Sequence, residues 1–383
     1  MTERFDAVVV GAGPAGALVA RELARRGCRV LLVDRERFPR WTVCGACLGA
    51  PGVAVLRAVG LEGLLEDSGA RPLQRLRIVG WGRAVDLPVE GGVVVSRRTL
   101  DAALLAEAGA AGAVVRTGCT AALDGETPEV RRVRLREAGS TEVVEALCVI
   151  DASGLGGLRG DQPGRERHEV VRENSRIGVG ACFPPGSCPP IEAEPETVSM
   201  AVGSGGYVGR VVHEDGSVGV AAALAPGEVR RFEGPAGAVT ALLESVGASL
   251  PTGAATDGWK GTPPLTRTRR RRAERRLFAI GDAAGYVEPF TGEGMSWALM
   301  GAYALVPLAE EAIRAWHDTA VERWESRYRL HVARRQRLSG AVAWLSRNPF
   351  LARGALGVLG ARPGLARPFL RHTARPPLGE SGS

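Results

Sequence analysis

Lysine is nearly missing from this chain. Of 49 basic residues only Lys260 is a lysine, so arginine carries the net charge of +7. Such a bias reads as codon usage, although guanidinium groups also grip phosphates and carboxylates bidentately, which leaves an anionic partner open. Aromatic residues are scarce at 5%, and none interrupts the basic run Arg267-Thr268-Arg269-Arg270-Arg271-Arg272. Without stacking side chains that run is not read as a nucleic-acid surface. It reads as a solvated loop, with an anionic carrier or lipid as its conceivable partner. No apolar stretch reaches the roughly 20 residues of a membrane span, and the N-terminus enters a strand pattern with no secretion signal before it. The seven cysteines are an odd number without a framework of spacings, as expected of reduced thiols in a cytoplasmic protein. The five histidines do not cluster and there is only one Cys-x-x-Cys, so no metal site is expected.

What is present starts at once. Ala7-Val8-Val9-Val10 is an apolar, β-branched run of the kind buried in parallel sheets. Gly11-Ala12-Gly13-Pro14-Ala15-Gly16 follows, then a helical pattern from Ala15 to Arg26 closed by Gly27, then a second strand from Arg29 to Val33 ending on Asp34. Glycine pattern, helix, strand and acid stand in the order of a dinucleotide-binding βαβ unit. Gly11 permits the tight turn, Gly13 lets backbone approach a pyrophosphate, and Gly16 lets helix and strand pack closely. The helix N-terminus offers free N–H groups to phosphate, and Asp34 can accept hydrogen bonds from an adenosine ribose. This unit alone does not separate FAD from NAD.

Further along, Phe38-Pro39-Arg40 and Cys44-Gly45-Ala46 lie in the loop 35–52. Here the chain resembles the geranylgeranyl reductase-like branch of the FAD-dependent monooxygenase superfamily, whose members carry Phe-Pro-Arg…Cys-Gly-Gly beside the flavin. Ser96-Arg97 with Leu100-Asp101 and Leu104 is similar to the superfamily's Arg-x-x-Leu-Asp-x-x-Leu segment, and the resemblance implies that Arg97 reaches the flavin side. Ser153-Gly154 stands where flavin hydroxylases often have Asp-Gly. Ala279-Ile280-Gly281-Asp282-Ala283-Ala284-Gly285 followed by Glu288-Pro289-Phe290-Thr291-Gly292-Glu293-Gly294 matches the pattern Gly-Asp-Ala-Ala…Pro…Gly-x-Gly. The resemblance implies FAD as the bound nucleotide, with Asp282 on the ribityl hydroxyls and Gly292 and Gly294 at the ring edge. The implied cofactor residues are Gly11, Gly13, Ala15, Gly16, Asp34, Arg35, Cys44, Gly45, Arg97, Gly154, Gly281, Asp282, Pro289, Gly292, Gly294 and Met295. NAD(P)H is the implied electron donor.

The middle of the chain departs from the family. Geranylgeranyl reductases have Tyr-x-Trp-x-Phe-Pro-Lys in the substrate sheet; here the stretch is Tyr207-Val208-Gly209-Arg210-Val211-Val212-His213. No catalytic side chain is assigned, and Cys44, Tyr207 and His213 are the weak candidates. Cys44 and Cys47 can also be read as a redox dithiol, or as one cysteine beside the flavin and one small apolar filler.

The expected fold is α/β: a glutathione-reductase-like, Rossmann-type FAD-binding domain (1–70, 95–158 and 270–315), an antiparallel-sheet substrate domain (71–94 and 159–269) and a helical C-terminal region (316–383). Strands are expected at Leu76–Val79, Ala84–Leu87, Ile177–Phe183, Thr197–Val202, Tyr207–His213 and Val218–Leu224. A helix with its C-terminal turn is expected at Val53–Ser68, a long helical region at roughly Asp318–Ser346, and a helix from Glu293 interrupted at Pro307. In the segment 341–375 arginines interleave with apolar residues and no acid, so it could lie on an anionic bilayer or wall a greasy channel. The expected activity is FAD-dependent reduction or hydroxylation of a hydrophobic small molecule of isoprenoid, quinone or polyketide type. A thiol-disulfide flavoenzyme and a non-enzymatic flavin-binding protein stay open as alternatives. A cytoplasmic protein, with or without peripheral membrane contact, is expected.

Overall fold

Two strands without polar alternation, Arg4–Val10 and Val30–Asp34, sit at the centre of a sheet and are buried on both faces. They run parallel, with Val10 opposite Val33. Ser140–Asp151 adds on the other side, Asp151 opposite Val10, and Leu277–Ala279 adds beyond it, Ala279 opposite Asp151. Val10, Asp34, Asp151 and Ala279 therefore end on one edge, the carboxyl edge where such sheets bind ligands. The computed structural model from which this is described covers residues 2–158, 160, 169–188, 194–290 and 292–366.

The connection from first strand to helix Pro14–Arg25 is where glycine is required. Gly11 has φ +104°, and a Cβ there would lie 2.2 Å from the Ala152 carbonyl oxygen. A Cβ on Gly16 would lie 1.8 Å from the Gly11 oxygen. Helix and turn thus touch backbone to backbone. The expected helix Val53–Ser68 is two helices, Ala50–Ala58 and Glu62–Asp67. Pro51 in the first turn starts it early, and Gly60, at φ +73°, stops it.

A second, eight-stranded sheet runs Lys260–Pro264, Ile177–Phe183, Val218–Leu224, Gly206–Val212, Thr197–Gly203, Arg71–Gly80, Arg83–Val94, Cys47–Leu48. It departs from pure antiparallel pairing at one place, where Thr197–Gly203 runs parallel to Arg71–Gly80. One face buries Val179, Phe183 and Val220 with Val239 and Leu243, which belong to the helix Pro235–Glu244. The other carries Leu73, Leu76, Met200 and Tyr207 towards the first sheet and the C-terminal helices.

The arginine run is a solvated loop only at Arg270 and Arg271, which are exposed. Arg267–Arg269 is the middle strand of a small sheet between Glu169–Val171 and Gly285–Tyr286. Arg267 is buried and donates to the Leu155 carbonyl, Arg269 donates to Asp151 at 2.8 Å, and Arg272 donates to Glu325 at 3.0 Å. Each guanidinium holds two distant segments together, which is why the run is basic.

Gly294–Arg314 is one helix with Pro307 inside it. Its burial on nearly all sides holds it through the missing hydrogen bond. The helical region expected over Asp318–Ser346 consists of Thr319–Tyr328 and Arg334–Leu345 joined by a π-type turn, Arg329–Ala333. Trp324 donates its ring N–H to the Ala279 carbonyl at 3.1 Å, pinning this region to a strand end of the first sheet.

These packing distances separate two glycines of the turn and loop. Gly16→Ala should destabilise the ligand-free protein by about 1–3 kcal/mol through overpacking. Gly45→Ala, with nothing within 4 Å of its new Cβ, should stay within about 0.5 kcal/mol. Thermal melts of the two variants check this; equal losses would contradict the packing described.

Candidate cofactor and substrate cavity

A cavity of about 1140 Å³ opens between the carboxyl edge of the first sheet and the inner face of the second. Gly11, Gly13, Ala15, Asp34, Arg35, Cys44, Gly45 and Arg97 line it. So do Gly154, Gly281, Asp282, Pro289, Gly292, Gly294 and Met295. Gly16 lies beneath the turn instead of on the wall. Tyr207 lines the cavity; His213 does not.

At the strand-end half, Asp34 is oriented by its own backbone neighbours. It accepts from the Ala12 N–H at 2.7 Å and the Glu36 N–H at 2.8 Å. Arg35 next to it is exposed and ion-paired to Glu36. Two further groups that the sequence reading gave no role dominate the charge here. Asp101 is fully buried. It takes a two-point grip from Arg97, at 2.6 and 2.8 Å, and lies 3.3 Å from Arg40. A Cβ on Gly13 would stand 3.2 Å from Arg97 Nη2 and 3.8 Å from Arg40 Nη2. Both guanidiniums thus converge on the face of the glycine turn, and the buried Arg40 Nε has no hydrogen-bond partner. A helix N-terminus, a turn with no side chain and two convergent cations fit a pyrophosphate. The Arg97–Asp101 pair was legible as an i,i+4 spacing; Arg40 was marked only by the Phe-Pro-Arg motif, and its partner Asp101 by nothing local to it.

At the flavin half, Asp282 sits on the short turn Gly281–Ala284. Among the described residues its half-buried carboxylate has no hydrogen-bond partner. Burial pushes it up to about 6, against the pull of Arg97 and Arg267. An acceptor held this way suits a chain of hydroxyls, as in the ribityl of FAD. Gly292 has φ +75°, and its Cβ would stand 3.0 Å from Cys47 Cβ. Cys44 accepts from the Ala46 N–H at 3.4 Å, and the Cys47 thiol donates to the Gly45 carbonyl at 2.9 Å. Both thiols are free. Burial pushes Cys44 up despite Arg97 nearby, and pushes Cys47 up further. Neither environment favours the thiolate that dithiol chemistry requires.

Together these form the polar half of the cavity; the half against the second sheet is apolar. Leu73, Leu76, Val198, Met200 and Phe290 line it, with Gly178, Gly209, Ala221 and Ala223 as a floor of small residues. Tyr207 packs edge-on against Phe290 at 4.9 Å. Burial and then the charge of Glu288 hold its hydroxyl well above the usual tyrosine range. Glu288, fully buried, accepts from Arg176 at 2.8 Å and Arg347 at 3.0 Å. His213 is buried in the next hairpin, its Nδ1 3.0 Å from Ser217 Oγ, and burial pushes it down. Its neighbour Glu214 docks that hairpin on the N-terminus of helix Arg97–Ala110, accepting from the Ser96 N–H at 2.9 Å.

Asp282 sets a pH dependence. Its native carboxyl binds a proton more tightly than the unfolded one, so the ligand-free protein loses stability as pH rises from about 4 through about 6. Asp282→Asn should melt higher than the parent at pH 8 and equally at pH 4, yet retain FAD about tenfold to a hundredfold more weakly. A variant that melts lower at pH 8 would refute the assignment. Cys44→Ser should keep FAD, shift its absorbance and lower turnover, while Cys47→Ser should be nearly silent. Complete loss in both, with two new thiols titrating after reduction, would establish the dithiol instead.

The sequence matches the FAD binding domain family over residues 4–335. It is 30% identical over 323 residues to menaquinone reductase of Mycolicibacterium smegmatis, covering 78% of this chain and 75% of that one. It is 29% identical over 352 residues to digeranylgeranylglycerophospholipid reductase 1 of Methanopyrus kandleri, covering 85% and 87%. Its fold superposes on a geranylgeranyl bacteriochlorophyll reductase-like protein from Thermoplasma acidophilum with a TM-score of 0.78, at 20% identity, over 94% and 91% of the chains. With the glycine turn, its two arginines and Asp282 around one cavity, the chain belongs to the FAD binding domain family and is an FAD-dependent oxidoreductase.

Proposed function

We propose that this enzyme reduces a carbon–carbon double bond of a hydrophobic, isoprenoid-bearing substrate of quinone type, with NAD(P)H as donor. The observation that carries the reading is the division of one cavity. One half is polar and cationic, around Gly13, Arg40, Arg97 and Asp282; the other is walled by Leu73, Leu76, Val198, Met200 and Phe290. The chemistry supplied by FAD when bound is two-electron transfer between a nicotinamide and an organic acceptor. The chain's residues hold and orient. Gly11, Gly13 and Ala15 would face the pyrophosphate, with Arg40 and Arg97 as its counter-charges. Asp34 would take the ribose, Asp282 the ribityl chain, and Gly45, Gly154, Gly281, Pro289, Gly292, Gly294 and Met295 the ring and its approaches. The Tyr207 hydroxyl is engaged by Glu288, so the apolar face of its ring is left to line the substrate slot.

Names of relatives support the substrate class: one is a menaquinone reductase and others are digeranylgeranylglycerophospholipid reductases. The nucleotide half is read as glutathione-reductase-like, with the domain division 1–70, 95–158 and 270–315 against 71–94 and 159–269. A cytoplasmic enzyme meeting its substrate at a membrane fits the same class.

Incubation with NADH or NADPH and isoprenoid quinones, followed by mass analysis of the product, tests the reading. A gain of two hydrogens per turnover is expected. A gain of oxygen with matching O₂ consumption would make the enzyme a monooxygenase. Failure to oxidise NAD(P)H with any acceptor would overturn the donor.

A further inference from the structure

The helix Pro349–Ala361 has two faces with different tasks. Ala352 and Leu356 are buried, and Leu356 packs in the same cluster as Leu73, Leu76, Tyr207 and Phe290 of the apolar half-cavity. About half a turn round the helix the opposite face is apolar too, and open. Phe350 is 88% exposed and Val358 55%, with Trp344 at 61% before the helix and Leu365 at 56% after it. Arg353 and Arg362 are exposed in and just after this helix, as are Arg329, Arg334 and Arg337 in the helical segment before it, and the sequence has no Asp or Glu between Glu325 and Glu380.

We propose that this face docks the enzyme on an anionic lipid bilayer, laying Pro349–Ala361 in the plane of the interface above the substrate half of the cavity. Aromatic and aliphatic side chains flanked by arginine are the composition of an in-plane amphipathic helix. No helix of the described residues is long and apolar enough to cross a membrane, so the contact is peripheral. Charge excludes two other occupants. A second copy would bring the same arginines face to face, and the few exposed apolar side chains fall far short of the roughly 20–30 residues a side of a stable dimer. The chain's own tail, 367–383, brings Arg367, Arg371 and Arg375 and no acid before Glu380. The proposal rests on the hydrophobic-substrate reading only for its purpose: it places the apolar half-cavity next to the phase that dissolves such a substrate.

Flotation of the intact, FAD-loaded protein with vesicles is the test. Vesicles of phosphatidylcholine with about one-third phosphatidylglycerol should carry the protein up, phosphatidylcholine alone much less, and salt should release it. Phe350→Ser with Val358→Ser should weaken binding about tenfold, and Arg353→Gln with Arg362→Gln about tenfold on anionic vesicles only. Turnover on detergent-dispersed substrate is measured in parallel and should not change in these variants. Protein that stays down with anionic vesicles, or variants that bind like the parent, would overturn the proposal. So would binding that appears only after removal of 367–383, which would show that the tail covers the face. Binding without turnover would instead overturn the reading of the reaction and leave the surface standing.

Discussion

The helix end that faces the cavity is placed by one close approach, the backbone of Gly16 against the backbone of Gly11. No side chain fits between them, so the helix Pro14–Arg25 meets the sheet at a single depth. That depth puts the helix N-terminus beside the strand ends Val10, Asp34 and Asp151. A helix displaced by the width of a methyl group would carry its N–H groups away from the anion they serve, since the dipole's influence falls off within the first turn.

Asp101 then makes the cationic side of the cavity tenable. Arg40 and Arg97 reach the same turn, and two guanidiniums so close repel unless something between them is negative. A fully buried carboxylate supplies that charge at 3.3 Å from one and through two hydrogen bonds to the other. Removing one partner of such a buried set leaves an uncompensated charge. The nitrogen of each arginine nearest the glycine turn, its Nη2, is also one that contacts Asp101, so the carboxylate fixes the cations where they face the turn.

Much of this was readable from residue order alone. The first βαβ unit announces itself because strand, glycine turn, helix and acid are contiguous. Asp282 was found because a short motif carries it at a strand end. What stayed hidden depends on contacts between distant segments. Glu288 and Glu214 look like ordinary surface charges until the fold brings Arg176 or Ser96 to them, and the Phe-Pro-Arg motif that carries Arg40 does not show its pairing with Asp101. The run at Arg267 misled for the same reason: basic residues in series look solvated, and only tertiary structure shows Arg267, Arg269 and Arg272 each engaged by a separate acceptor while Arg270 and Arg271 stay exposed. Pro307 and Gly60 misled in opposite directions. Packing on nearly all sides carried a helix through a proline, whereas a half-exposed helix ended at its first left-handed glycine.

The buried carboxylate of Glu288 has a consequence for how the molecule comes apart. Arg176 belongs to the approach to the second sheet, Glu288 to the connection between Tyr286 and the helix Gly294–Arg314, and Arg347 to the C-terminal helices. Departure of the Glu288 segment would strand two guanidiniums, at a cost of several kcal/mol, whereas departure of either arginine takes one of two partners from a buried carboxylate. The sheet, the cofactor loop and the C-terminal helices are therefore tied through one buried ion cluster, and opening of any one of them is opposed by the charges held on the other two.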